Sequence, residues 1–91
     1  MLKIKRTSQF KKDIKRISKQ GYDLNLLSDV INKLVQQIPL EEKYCDHALK
    51  GEWVGFRECH IKPDWLLIYL VNDNELILTL SRTGTHSDLF N

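Results

Sequence analysis

The chain has 91 residues, 42% hydrophobic and 29% charged, enough for one domain with a single core and too few for two. That composition excludes a disordered or fibrous chain. No apolar run approaches the ~20 residues of a membrane span, and Met1-Leu2-Lys3-Ile4-Lys5 lacks a signal peptide's apolar core. Two cysteines without an export signal are expected to be reduced thiols of a cytoplasmic protein. The net charge of +2 conceals an asymmetry. Residues 1–20 hold eight Lys/Arg against one acid, Asp13, whereas residues 21–91 hold six against eleven acids. A basic segment of this kind is either a solvated helix face or a docking surface for a polyanion, nucleic acid being the usual one.

Leu2-Lys3-Ile4-Lys5 alternates apolar and basic residues, as a short strand with one buried face does. Thr7 and Ser8 offer N-cap hydroxyls to a helix with the apolar stripe Phe10, Ile14 and Ile17, ended by Gly21 as C-cap glycine. Lys11, Lys12, Lys15, Arg16 and Lys19 lie mostly off that stripe. Asp23 caps a second helix carrying Leu24, Leu27, Val30, Ile31, Leu34, Val35 and Ile38, which Pro39 stops. Residues 40–52 lack periodicity and read as a connection with one turn of helix at most. Trp53–Lys62 reads as a strand, Pro63-Asp64 as a turn, and Trp65–Val71, almost wholly apolar, as a central strand. Asn72-Asp73-Asn74 turns the chain, Leu76–Ser81 returns it, and a tail follows from His86 to Asn91. The order β-α-α-β-β-β predicts a single α+β domain over residues 1–91, two helices packed on an antiparallel sheet.

A hairpin loop centred on Asp73-Asn74 pairs Trp65 with Arg82, and a two-residue loop at Pro63-Asp64 pairs Lys62 with Trp65 and His60 with Leu67. Paired residues share a face, so His60, Trp65 and Arg82 are expected on one face near one sheet end. Asp64 lies in the adjoining turn, and His86 and Phe90 in the tail that starts there. Imidazoles titrate near neutral pH and can act as base and acid. An arginine holds a phosphate with two parallel hydrogen bonds, and aromatic rings stack on bases. Metal-free RNA cleavage requires such parts: a base for the 2′-OH, a cation for the phosphorane and an acid for the 5′-oxygen. Cys45, His47, Cys59, His60 and His86 could supply metal ligands, but their spacings are not those of structural or catalytic zinc, and no metal or other cofactor is expected.

Four segments together resemble the YafQ type of RelE-like toxins from bacterial type II toxin–antitoxin pairs. They are Asp46-His47-Ala48-Leu49-Lys50-Gly51, Trp53 with Gly55-Phe56-Arg57-Glu58-Cys59-His60, Pro63-Asp64-Trp65-Leu66-Leu67-Ile68-Tyr69, and Arg82-Thr83-Gly84-Thr85-His86 with Phe90. The resemblance runs over essentially the whole chain. It implies the RelE-like fold: a small antiparallel sheet, mixed at the N-terminal strand, against an N-terminal αα-hairpin, with a short C-terminal tail. It also implies a ribosome-dependent mRNA endonuclease that leaves a 2′,3′-cyclic or 3′-phosphate and a 5′-OH. The family's catalytic positions fall on His47, His60, Asp64, Arg82 and His86, with Trp65 and Phe90 stacking on substrate or walling the site. The basic residues Lys11, Lys12, Lys15, Arg16 and Lys19 would dock on ribosomal RNA. Implied partners are the ribosome, mRNA and a neutralising DinJ/RelB-like antitoxin, with operator DNA reached only through the antitoxin complex and no membrane. Which histidine is base and which is acid stays open, with Asp64 as orienting group or base. The alternative is a non-catalytic module of the same fold that binds RNA or protein.

Overall fold

In a computed structural model describing residues 1–90, five strands form one mixed sheet in the order β1-β5-β4-β3-β2. The elements are β1 (Lys3–Arg6), α1 (Ser8–Lys19), α2 (Leu24–Val35), β2 (His47–Ala48), β3 (Arg57–Lys62), β4 (Trp65–Asn72), β5 (Ile77–Gly84) and α3 (His86–Phe90). β1 runs parallel to β5 and the other pairs are antiparallel. Asn91, which the sequence reading placed in the tail, lies outside the described residues. Among the described residues no helix is long and apolar enough to cross a membrane.

The helix ends follow local chemistry. Thr7 Oγ1 accepts from the Phe10 amide at 3.0 Å and donates to the Ser81 carbonyl at 2.9 Å, so the cap of α1 is also tied to β5. α1 closes with Gly21 at φ +82°, its amide bonding the Ser18 carbonyl while Tyr22 reaches Ile17. α2 uses the same pattern with Gln37 at φ +59°, and so ends at Val35 rather than at Ile38. Pro39 disfavours a helical Ile38, which is left 46% exposed.

One face of the sheet packs against α1 and α2. Phe10, Ile17, Leu27, Val30 and Leu34 meet Cys59, Trp65, Leu67, Tyr69, Leu78 and Leu80 in the main core. Each such buried side chain contributes about 1.5–3 kcal/mol. The opposite face carries a smaller cluster of Leu66, Ile68 and Leu89, covered by Leu49, Trp53 and Phe56.

Three departures from the sequence reading set the site. Gly55, at φ +93°, and a 3₁₀ turn at Gly51–Trp53 delay β3 to Arg57, and a two-residue strand, β2, pairs His47 with Glu58 where a loop was expected. The β4–β5 loop spans 73–76, with Leu76 at φ +57°, and a bulge follows at Ser81, so Arg82 faces Ile68 instead of Trp65. A bulge at Ile61 leaves Lys62 opposite Trp65 but moves His60 opposite Leu66. His60 and Arg82 therefore share the face away from α2, and Trp65 lies on the other. β5 also runs on to Gly84, beyond the expected Ser81, and the tail forms the short helix α3.

Candidate active site

Strand pairing stacks two rows across the sheet: Glu58, Ile68 and Arg82 in one, His60, Leu66 and Gly84 in the next. β2 adds His47 beyond Glu58. α3, starting where β5 ends, brings His86 over the edge. The His60 and His86 rings lie 5.8 Å apart, nearly perpendicular, and those of His47 and His60 lie 6.3 Å apart. The three histidines thus form a row along one end of the sheet.

Carboxylates back this row. Glu58 is 5% exposed, and its Oε1 lies 3.3 Å from His60 Nε2 and 3.6 Å from His47 Nε2. Asp64, in the β3–β4 turn, accepts from the His86 backbone amide at 3.0 Å and lies 2.6 Å from its Nδ1. Those two bonds from His86 hold the Asp64 carboxyl below its ordinary pKa. An ionised Asp64 only accepts, so Nδ1 carries a proton and Nε2 is the nitrogen left for chemistry. His47 is oriented by the Cys45 carbonyl, 2.6 Å from its Nδ1. The preceding Asp46 accepts from Arg57 Nη2 at 3.2 Å and from the Tyr69 hydroxyl, which pins the loop to β3 and β4.

Arg82 donates Nε and Nη2 to Asp13 of α1, at 2.8 and 3.2 Å. Asp13 is fully buried and also accepts from Arg16 Nη1 at 2.8 Å, from the Thr83 amide at 3.1 Å and from Gln9 Nε2 at 3.5 Å. Burial by itself would raise the Asp13 carboxyl pKa, but the Arg82, Arg16 and Thr83 donors outweigh it and hold it below the ordinary range. Arg16 Nη2 reaches the Thr83 carbonyl at 2.9 Å and lies 3.5 Å from Asp88. Arg16 therefore faces β5 and α3, unlike the exposed Lys11, Lys12, Lys15 and Lys19 with which the sequence reading grouped it.

Trp65 is 3% exposed, its indole N–H donates to Thr83 Oγ1 at 2.9 Å, and its ring meets Tyr22 edge-to-face at 4.9 Å. It cannot stack on a base; it walls an open groove of about 460 Å³ shared with Tyr22, Lys62, Asp64 and Thr85. Phe90, 45% exposed at the end of α3, lines an open pocket with Lys50 and Trp53. Cys59 is fully buried and its thiol is pushed up to about 12, which makes it an inert core residue; Cys45 is exposed just after a separate 3₁₀ turn, Glu42–Tyr44.

Glu58 and Asp13 were missed as site residues. The period of two from His60 points to Glu58, and Asp13 stands on the apolar stripe between Phe10 and Ile17, where an acid is out of place. The fold also brings together a possible ligand set that spacing along the chain does not reveal. Single ligand atoms of Glu58, His60 and His86 lie within 4.8 Å of one another, a carboxylate–bis-imidazole set suited to a transition-metal ion.

A mixed five-stranded sheet with an αα-hairpin on one face and a histidine row at one end defines a small toxin fold of the RelE-like class. Residues 2–91 match the family described as bacterial toxin of type II toxin–antitoxin system, YafQ, and the chain belongs to that family. It is 41% identical over 88 residues to the mRNA interferase toxin YafQ of Escherichia coli K12, covering 96% of this chain and 94% of that one. The crystal structure of a metal-bound toxin from Helicobacter pylori is similar at 49% identity and TM-score 0.93, over 99% of this chain and all of that one. YafQ in the crystal structure of the E. coli DinJ–YafQ complex is similar at 39% identity and TM-score 0.91, over the whole of both chains.

Proposed function

We propose that this chain is an mRNA interferase that cleaves translated mRNA on the ribosome. The carrying observation is the facing pair His60 and His86, 5.8 Å apart, each beside a carboxylate. In the proposed reaction His60, oriented by the buried Glu58, takes the proton of the 2′-OH. The 2′-oxygen attacks phosphorus, and the P–O5′ bond breaks as His86 Nε2 delivers a proton to the leaving oxygen. The products are a 2′,3′-cyclic phosphate and a 5′-OH, with no redox change. Arg82 neutralises the phosphorane, Phe90 stacks on a flanking base, and His47 assists through Glu58. Lys11, Lys12, Lys15 and Lys19 project from α1 to contact ribosomal RNA phosphates. An antitoxin similar to the DinJ that is bound to YafQ in the E. coli complex neutralises the toxin, and operator DNA is reached only through the antitoxin complex. The protein acts in the cytoplasm, where its ribosomal substrate is.

The ends of mRNA fragments from a translating extract test this reading. Fragments with 2′,3′-cyclic phosphate and 5′-OH ends are expected, and they should fall to a small residual level with His86→Ala and Arg82→Ala. Undiminished cleavage in both variants would leave a non-catalytic binding module. Equal cleavage of bare RNA would remove the ribosome from the mechanism.

A further inference from the structure

We propose that Asp13 is a positioning residue for RNA cleavage: from α1 it fixes the Arg82 guanidinium side-on, so that the opposite fork is presented ready-formed to the scissile phosphate. This rests on the reading of Arg82 as the phosphate-binding group.

Asp13 is the one acid of the first twenty residues, yet it is the one of their charged side chains that is fully buried. A carboxylate in a core is costly, and a buried ion pair gives little net stability over an apolar residue of similar size. Packing alone therefore does not account for an aspartate between Phe10 and Ile17. The geometry does. A guanidinium offers five N–H groups in one plane. Asp13 engages the edge formed by Nε and Nη2, at 2.8 and 3.2 Å, and also binds the next backbone amide, that of Thr83, at 3.1 Å. The end-on fork, Nη1 with the second Nη2 hydrogen, has no hydrogen bond among the described residues, and the side chain is 20% exposed. That fork has the spacing for bidentate phosphate binding.

An unrestrained arginine at the end of a strand would have to lose its rotamer freedom on meeting RNA. Here that ordering is completed on folding, which favours catalysis through preorganisation. Arg16 shares the Asp13 carboxylate at 2.8 Å and lies 3.5 Å from Asp88, so the Asp13 charge is divided between two guanidiniums rather than given to Arg82 alone. The second nitrogen of Arg16 holds the Thr83 carbonyl at 2.9 Å, which fixes the strand segment that leads into His86.

Asp13→Asn keeps volume and one acceptor while removing the charge. On programmed ribosomes it is expected to lower kcat at least 30-fold and to change KM less than twofold, with thermal unfolding still cooperative. In an Arg82→Ala background the same substitution should change the residual rate less than threefold, because the group it positions is gone. A folded Asp13→Asn protein within threefold of the parent rate would overturn the inference. So would an equal loss in both backgrounds, which marks a merely structural role. If Asp13→Asn fails to fold, the Arg82 Nε–H signal of the unaltered protein decides by NMR. Exchange with water at least tenfold slower than for the exposed Arg6 supports the lock, and equal exchange overturns it. Full cleavage by Arg82→Ala with Asp13 intact would instead overturn the phosphate-binding role of Arg82, a separate result.

Discussion

His60 and His86 lean on carboxylates of different character. Glu58 is buried between two imidazoles, whereas Asp64 is exposed and its carboxyl is held below its ordinary pKa by two bonds from a single residue. The buried group suits a base that must be oriented, and the exposed one suits an acid that must select its tautomer. Replacing either histidine by alanine should lower single-turnover cleavage by about 10²–10⁴-fold with ribosome binding retained. Because Glu58, His60 and His86 could together hold a metal ion, occupancy would remove the proposed base and acid together. Zinc or copper(II) in the micromolar range should therefore inhibit cleavage, EDTA should restore it rather than abolish it, and Glu58→Gln should weaken the inhibition. Activation by the metal would contradict a metal-free mechanism.

At the scale of elements, the site depends on how β5 passes into α3. Gly84, at φ +151°, lies where a Cβ would stand 2.5 Å from Arg16 Nη2 and 2.9 Å from Asp88 Oδ2. Asp88 in turn accepts from the Thr85 amide at 3.0 Å, and Thr85 Oγ1 accepts from the Asp88 amide at 3.1 Å, a reciprocal cap that starts the helix of His86. Gly84→Ala must displace Arg16 or Asp88 as well as strain the backbone. It should cost about 1–3 kcal/mol in urea unfolding and lower cleavage along with it. Gly21→Ala, at φ +82° with open space around it, should cost only about 1 kcal/mol and leave cleavage unchanged.

Over the whole molecule, charge has two uses. The lysines of α1 are exposed, and if they form the proposed docking face, four phosphate contacts would give a slope of about −3 in log affinity against log salt. Changing Lys11, Lys12, Lys15 and Lys19 to glutamine should flatten that slope in ribosome-binding measurements. Stability should depend on pH through the same fold. Asp13 has its folded pKa below the unfolded value of about 3.9, so its contribution is present above that pH and is lost as pH falls through the folded value. The thermal midpoint should hold between about pH 5 and 8 and drop below about pH 4. Removing Asp13 altogether should cost about 1–3 kcal/mol, because the buried Thr83 amide would lose its acceptor and the half-buried Arg82 its carboxylate.

The amino-acid order by itself determined the element sequence, the αα-hairpin and its glycine cap at Gly21, the apolar central strand and the family motif. Those signals are local: helical spacing, capping groups, and a run of residues from Trp65 to Val71 that has no polar face. The two turn signals of the sequence also pointed to a gathering of His60, Asp64, Arg82 and His86 near one sheet end, but through a strand pairing that a small slip would scatter. The tertiary structure alone decided which face each of them uses. Bulges at Ile61 and Ser81 and a longer 73–76 loop change strand pairing by one to three residues, and an odd shift moves a strand's side chains to the other face. That is why Trp65 is a core residue and not a stacking platform, and why Glu58 stands beneath the histidines. Asp13 and Arg82 are 69 positions apart, and no periodicity relates them. Only the packing of α1 against the end of β5 brings that carboxylate to the guanidinium, because a buried charge must find its partner wherever the fold provides one.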